Sequence, residues 1–317
     1  MKLIIQIPCY NEEETLKSTI EDLPKKIDGV DEIEYLIIDD GSTDHTIDVA
    51  RAAGVHNIVH FQQNKGLAHG FVAGIDAALH LGADIIVNTD ADNQYNGEDI
   101  VKLVEPVIQK KAHIVIGERP IDTTDHFSWK KKKFQRWGSF VVRVASKTGI
   151  PDAPSGFRAY SREAALRLNV MNEYTYTLET IIQAGRNKIP MLSVPIRTNE
   201  ETRESRLFKS MWTYIERSSI VIIRSFMLYK PLRFFGVLGI FSIVFGLAIG
   251  IRFLVFYFTG SGGGHVQSLI LVALLILLGV QSIIAGLQAD IIAANRKLLE
   301  DIQYRVRKSD CEPKNEE

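Results

Sequence analysis

The chain has 317 residues, roughly two domains' worth, and 46% of them are hydrophobic against 24% charged, which excludes a disordered tail or a fibrous repeat. Lys and Arg number 37 against 38 Asp and Glu, so a globally basic nucleic-acid binder is excluded. The only cysteines, Cys9 and Cys311, lie at opposite ends and leave no disulfide scaffold or cysteine zinc cluster.

Met1-Lys2 leads into Leu3 to Ile7, an apolar run too short for the core of a signal peptide, so the first ~200 residues are expected to stay in the cytosol. Short β-rich runs then alternate with helical patterns, without an internal repeat. Leu3–Ile7, Glu34–Ile38, Asn57–Phe61, Asp84–Asn88, His113–Ile116 and Met191–Ile196 read as strands. Glu12–Leu23, Thr43–Ala53, Leu67–Leu81, Gly97–Lys110 and Phe134–Ser146 read as helices. The alternation predicts an α/β, Rossmann-like, mostly parallel sheet covered on both faces. Such sheets bind ligands outside the carboxyl ends of their strands, so the chemistry is sought in the loops that follow them.

Those loops are acidic. The first carries Pro8-Cys9-Tyr10-Asn11-Glu12-Glu13, the second Asp39-Asp40-Gly41-Ser42-Thr43-Asp44, and the fourth Asn88-Thr89-Asp90-Ala91-Asp92-Asn93-Gln94. Neither Gly-x-Gly-x-x-Gly nor Gly-x-x-x-x-Gly-Lys-Ser/Thr is present, so the dinucleotide and P-loop readings lack their glycine cradle. The acids suggest instead a hard divalent cation, Mg²⁺ or Mn²⁺, bridging a nucleotide diphosphate. Asp90-x-Asp92 gains weight from its place after the apolar Ile85-Ile86-Val87. The Asp39-Asp40-Gly-Ser turn also suits a helix cap, with Ser42 or Thr43 as the capping residue. Among the histidines, His45, His60, His69 and His126 occupy no strand-end constellation.

Beyond the fifth strand, Glu118 to Lys133 mixes Trp129 and a run of four lysines. That composition suits an anionic membrane surface or a lipid phosphate, and the loop is expected to close over a substrate. Asp152 precedes Ala-Pro-Ser155-Gly-Phe-Arg158 and is expected to orient Arg158. The segment 205–230 mixes aromatics with Arg and Lys and reads as amphipathic helices on a membrane surface.

The apolar residues that lift mean hydropathy to +0.02 sit at the C-terminal end. Leu232–Phe258 and Leu269–Ala289 each exceed the ~20 residues that cross ~30 Å of hydrocarbon. Basic residues flank the pair on its outer sides, and the turn Thr259-Gly-Ser-Gly-Gly-Gly-His265 has no Lys or Arg. The positive-inside rule therefore places both flanks in the cytoplasm. Gly236, Gly239, Gly246 and Gly250 suggest close helix packing and a homo-oligomer.

Taken together, Pro-Cys-Tyr-Asn-Glu-Glu, Asp-Asp-Gly-Ser-Thr-Asp, Asn64-Lys-Gly66, Asp90-Ala-Asp92-Asn-Gln94 and Ser155-Gly-Phe-Arg158 resemble the inverting family-2 glycosyltransferases of GT-A fold. The nearest branch resembles the dolichyl-phosphate mannose synthase group of polyisoprenyl-phosphate glycosyltransferases, over roughly Leu3 to Leu207. The resemblance implies catalytic roles for Asp92, Arg119, Arg136 and Ser139. It implies a nucleotide pocket of Pro8, Tyr10, Glu12, Asp39, Asp40 and Asp90, and a metal set of Asp90, Asp92 and Gln94. It implies acceptor or phosphate contacts from Asp152, Ser155, Arg158, Arg203 and Arg206. Glu204-Ser-Arg-Leu207 departs from the family's Gly-x-Ser-Lys-Leu, with Arg203 where Gly is usual, and the Arg136–Ser139 spacing is a residue shorter than usual.

On this resemblance residues 1–204 form a cytosolic GT-A domain, 205–230 interfacial helices, 231–292 a hairpin with spans near 232–258 and 268–290, and 293–317 a basic tail with a disordered end. The protein is then expected to be multi-pass in the plasma (inner) membrane, with the catalytic domain and both termini cytoplasmic. The implied reaction moves a sugar from a UDP- or GDP-sugar to a polyprenyl monophosphate, undecaprenyl or dolichyl. A processive or glycan-directed transferase is the nearest rival, but Lys133 stands where processive synthases carry the Gln of Gln-x-x-Arg-Trp. A non-catalytic membrane scaffold is the other.

Overall fold

The computed structural model describes residues 1–120, 148–170, 176–199, 220, 227, 230–260 and 266–311. Arg136, Ser139, Arg203, Arg206, the expected helix Phe134–Ser146, nearly all of the basic loop and most of 205–230 lie outside them. The chain divides into two compact units, Met1–Ile222 with Asp301–Glu317, and Ile223–Glu300.

The first unit is built on a seven-stranded sheet. In chain order its elements are β1 (Lys2–Cys9), α1 (Leu16–Glu21), β2 (Glu32–Asp39), α2 (Thr46–Ala52), β3 (Asn57–His60), α3 (Leu67–His80), β4 (Ile85–Asn88), α4 (Ile100–Ile108), β5 (Ile114–Glu118), β6 (Arg158–Ser161), α5 (Arg162–Arg167), α6 (Thr177–Arg186) and β7 (Met191–Pro195). The sheet order is β3-β2-β1-β4-β6-β5-β7. All paired strands run parallel except β6, which lies antiparallel between β4 and β5.

The central strands are apolar on both faces because both faces are covered. Leu3, Ile5, Ile7, Ile85 and Val87 pack with Leu16 and Ile20 of α1 and with Ile100, Leu103 and Val104 of α4. The opposite face takes α3, whose Phe71 stacks on Tyr176 at 3.9 Å between ring centroids. Gly74 lets α3 approach the sheet: a Cβ there would lie 2.5 Å from Gln6 Oε1 and 2.8 Å from Ile38 Cδ1.

Several local expectations shift. Helix α1 starts at Leu16, not Glu12, because Asn11 adopts a φ of +55° and the backbone turns there first. Ser42 and Thr43 do not cap α2. Ser42 Oγ accepts the Asn11 N–H (2.9 Å) and Thr43 N–H donates to Asn11 Oδ1 (2.8 Å), which ties the first two strand-end loops together. β6, α5 and α6 were not expected from the sequence pattern.

The first unit also takes the C-terminal end of the chain. Tyr304 Oη donates to Glu163 (3.0 Å), and the Arg167 guanidinium lies 4.1 Å over the Tyr304 ring. Arg307 donates to Leu168 O (2.6 Å) and pairs with Asp76 (3.1 Å). Arg162 holds the carbonyls of Leu79, Ala83 and Cys311 with one guanidinium. The segment expected as a basic tail is thus helical as far as Cys311.

The second unit contains two helices long and apolar enough to cross a membrane. They are α7 (Pro231–Phe258) and α8 (Val266–Cys311), the latter ending in the first unit. Pro231 opens α7, where its missing N–H costs nothing. Gly239 and Gly279 face each other so closely that a Cβ on either would lie 2.6 or 2.7 Å from the other's carbonyl oxygen. Ser242 Oγ donates to Leu275 O at 2.9 Å. The small-residue face is therefore used inside the hairpin at Gly239 and Gly246, and of the four glycines Gly236 alone has no neighbour within 4 Å among the described residues.

Candidate active site

Three carboxyl-terminal strand positions stand in one row. The register pairs Cys9 with Asp39 and Asp39 with His60. Asp39 is fully buried; its Oδ2 lies 2.6 Å from His60 Nδ1 and its Oδ1 accepts the Ser42 N–H at 3.3 Å. His60 therefore does occupy a strand-end constellation, contrary to the expectation from sequence, because β3 places it one strand from Asp39. Burial first, then Glu12 and Asp39, pushes the Cys9 thiol up, so Cys9 is a packing residue.

Asp40 is held by the neighbouring loop. Its two carboxylate oxygens accept the Lys65 N–H (2.7 Å) and Gly66 N–H (2.8 Å), so it staples the Asn64-Lys-Gly66 loop. Gly41 makes that contact possible: its φ is +73°, and a Cβ would sit 2.7 Å from the Gln63 carbonyl carbon. Pro8 is half-buried at the end of β1, and Tyr10 is 41% exposed at the lip. Glu12 is buried and accepts from Thr15 Oγ1 at 2.9 Å.

The loop after β4 is pinned from three sides. Thr19 Oγ1 donates to Ala91 O (2.9 Å), Gln94 N–H donates to Asp92 Oδ1 (3.2 Å), and the segment after β7 clasps it through Asn199, which donates to Gln94 O (2.9 Å) and Asn93 O (3.0 Å). Asp90 faces the turn at Gly156, where a Cβ would lie 3.3 Å from both carboxylate oxygens and 3.1 Å from Tyr176 Oη. A buried chain of hydrogen bonds fixes that turn. Asn88 Nδ2 donates to Gly156 O (3.0 Å) and Tyr176 Oη (2.9 Å), and Gly156 N–H donates to Tyr95 Oη (3.3 Å). Burial raises both tyrosines, which keeps their hydroxyls protonated.

Burial, and then the charges of Asp92 and Glu12, push Asp90 up to about 7 against the pull of Arg119 and Arg158. A carboxyl raised that far by burial, with two further acids beside it, is a place where a cation is stabilising. Among the described residues no group of three or more His, Cys, Asp or Glu is arranged to hold a metal ion. Two carboxylates with Gln94 beside them instead fit an ion that takes the rest of its shell from phosphate oxygens and water.

Arg119, at the end of β5, is held by Asp152. The backbone N–H (3.2 Å), Nε (2.8 Å) and Nη2 (3.0 Å) all donate to that fully buried carboxylate. Asp152 thus orients Arg119, not Arg158. Arg158 is a further correction: fully buried, it donates to the carbonyls of Ser155 (2.7 Å), Ala153 (2.7 Å) and Thr177 (3.0 Å) and to Thr180 Oγ1 (2.8 Å). It braces the Ser155-Gly156 turn from within and has no face toward a phosphate. Among the described residues, the buried Ser155 Oγ has no hydrogen-bond partner.

The sheet edge thus gathers Tyr10, Glu12, Asp39, Asp90, Asp92, Gln94 and the Arg119–Asp152 pair, and turns Asp40 and Arg158 to scaffolding. His60, Tyr95, Gly156 and Tyr176 were missed. Only His60 carried a usable signal, as the terminal polar residue of a short strand. The other three matter through tertiary contacts that no local pattern encodes.

Residues 4–168 match the family model described as glycosyl transferase family 2. The chain is 31% identical over 216 residues, 61% of this chain and 83% of the relative, to a UDP-N-acetylglucosamine–dolichyl-phosphate N-acetylglucosaminyltransferase of Methanococcus voltae. It is 32% identical over 219 residues, 65% of this chain and 88% of the relative, to an undecaprenyl-phosphate mannosyltransferase of Micrococcus luteus. Among solved structures, glucosyl-3-phosphoglycerate synthase from Mycobacterium tuberculosis, in complex with Mn²⁺, UDP and glucosyl-3-phosphoglycerate, shares the fold with a TM-score of 0.54 at 19% identity, over 71% of this chain and 78% of that one.

Proposed function

Since the chain belongs to glycosyl transferase family 2, we propose that it moves a sugar from a nucleotide-sugar donor, UDP- or GDP-linked, to a polyprenyl monophosphate, with inversion at the anomeric carbon. The observation that carries the reading is the meeting, at one sheet edge, of the mutually repelling acids Asp90, Asp92 and Glu12 with an arginine locked by a buried aspartate. The relatives named for dolichyl-phosphate and undecaprenyl-phosphate transfer support the acceptor class.

Asp90, Asp92 and Gln94 would hold Mg²⁺ or Mn²⁺ with the donor diphosphate. Bound there, the ion supplies charge neutralisation for the departing nucleotide. Tyr10 and the Asp39–His60 row would border the nucleoside. Arg119, fixed in orientation by two side-chain hydrogen bonds to Asp152, would turn its remaining guanidinium donors to a phosphate without reorganising as charge develops. A polyprenyl monophosphate has a second pKa near ~6 and is largely dianionic at neutral pH. It attacks without a general base, so positioning and charge supply the acceleration. Arg136, Ser139, Arg203 and Arg206 are assigned to the acceptor phosphate.

The helices α7 and α8 would anchor the catalytic unit to the plasma membrane, with the basic flanks and both termini cytoplasmic. The test is incubation of the full chain with a panel of labelled nucleotide sugars, C55 polyprenyl phosphate and Mn²⁺. Label in the lipid fraction is expected for at least one donor. Asp92→Ala is expected to cut transfer by about 10²-fold or more. Near-wild-type turnover in that variant would remove Asp92 from the site.

A further inference from the structure

We propose that a second copy of this chain docks along α8, and that Gln281, Gln288 and Asn295 hydrogen-bond their counterparts across that contact. This rests on α8 crossing a membrane and is independent of the transfer chemistry.

The three amides recur at intervals of seven residues. In paired helices of about 3.5 residues per turn, that interval returns a side chain to the same face. All three are exposed, and among the described residues none has a hydrogen-bond partner. Gln281 and Gln288 stand inside the apolar run Leu269–Ala289, and Gln281 is eight residues, roughly 12 Å, from its end. Hydrocarbon offers no water to an amide, so a bare one at that depth is costly until another helix pairs with it. That helix is not α7. Its glycines 239 and 246 and its Phe235 meet α8 at Leu275, Gly279, Ile283 and Gly286, on the side turned away from the amides.

A copy of the same chain fits the vacancy. Two copies in one membrane share orientation and depth, so each amide meets its twin at the same level. An amide carries both donors and an acceptor and therefore complements itself. Leu278, Ala285, Ile292 and Leu299 interleave with the amides in alternating steps of three and four, and Ile302 and Val306 continue the pattern. That is the seam of a parallel coiled coil, in which a lone polar residue such as Asn295 fixes the register. The large apolar members of the seam are 53–68% exposed. Beyond Ala289 the chain has left its apolar run, and bare side chains of that size along one helix face mark a contact surface. Charge agrees with the parallel arrangement. Flanking the seam, Arg305 of one copy would face Asp310 of the other, and both are exposed.

The experiment uses the full chain in phosphatidylcholine vesicles. Single cysteines are introduced by Asn295→Cys or Lys297→Cys in a Cys311→Ser background, which leaves only the buried Cys9. Under oxidation Asn295→Cys is expected to give a disulfide-linked dimer, because facing seam positions lie within the ~6 Å that a disulfide spans. Lys297→Cys, on another face of the helix, is expected to stay monomeric. Association is then read by energy transfer between copies tagged at the amino terminus, as lipid dilutes them. The triple variant Gln281→Leu, Gln288→Leu, Asn295→Leu should weaken association about tenfold or more. Leucine suits the apolar helix, so insertion and the thermal melt should match the wild type. Asn295→Gln, which keeps an amide, should retain association. Equal cross-linking from both cysteine positions, or unchanged association in the triple variant, would overturn the proposal. A wild type monomeric at every dilution would also overturn it and assign the amides to a different membrane helix. Each of these results leaves the transferase reading standing.

Discussion

Gly156 shows why the site depends on a side chain that is absent. A methyl group there would press on the Asp90 carboxylate at 3.3 Å and on Tyr176 Oη at 3.1 Å, and both are fixed. Gly156→Ala is expected to destabilise by about 1–3 kcal/mol, read by urea titration, and to weaken Mn²⁺ binding along with it. Asp90 itself gives a pH signature. Its carboxyl sits at about 7 against the usual 3.8, so the folded protein holds that proton more tightly than the unfolded chain does. The group's contribution to stability is then complete below about pH 3.8 and is lost as pH rises through about 7. At about 1.4 kcal/mol per unit the loss is on the order of a few kcal/mol. Mn²⁺ with UDP should therefore raise Tm more at pH 8 than at pH 5.5. Asp90→Asn should stabilise the metal-free protein at pH 8 while abolishing that metal response. Asp152→Asn tests the other charge: it leaves Arg119 without its counter-ion, costs about 3 kcal/mol, and should lower kcat with the fold retained.

At the level of elements, the sequence was most legible where one physical rule dominates. Apolar runs covered on both sides, such as Leu3–Ile7 and Ile85–Val87, gave strands at the right places. The acid-rich loops after β1, β2 and β4 therefore fell at the carboxyl ends of the strands, where sheets of this kind bind ligands. β6 escaped because Arg158-Ala-Tyr-Ser161 is short and begins with a charged residue, and only the fully buried carbonyl cage around Arg158 makes that charge tolerable. The same cage turns Arg158 inward, with four of its N–H groups donating to protein oxygens. Asp40 is likewise a brace, since its two oxygens accept the Lys65 and Gly66 N–H groups. The loop after β4 shows how elements distant in sequence set a site. Asn199, just past β7, grips the backbone of Asn93 and Gln94. Asn199→Ala is expected to raise the Mn²⁺ concentration for half-maximal transfer several-fold, with little change in Tm, because it frees a loop and empties no core.

Over the whole molecule, the catalytic unit is not one stretch of sequence. Residues 1–222 and 301–317 belong together, and the two apolar helices are inserted between them. Arg307 joins Leu168 and Asp76, and Arg162 joins Leu79, Ala83 and Cys311. Arg307→Ala should cost about 1–2 kcal/mol and lower Tm by roughly 2–8 °C. Composition could not foretell this docking, since a run of Arg and Lys after an apolar helix reads equally as a loose basic end.

That discontinuity sets an order of events during translation. The ribosome delivers Asp301–Cys311 only after both hydrophobic helices have been made, so α3 and α5 acquire Tyr304 and Arg307 last. A nascent chain halted within the hairpin would present a sheet already folded but with the outer contacts of those two helices unmade. Fragments cut ahead of the hairpin to obtain a soluble enzyme inherit the same gap, and appending residues 301–311 through a flexible linker is the repair the fold itself suggests.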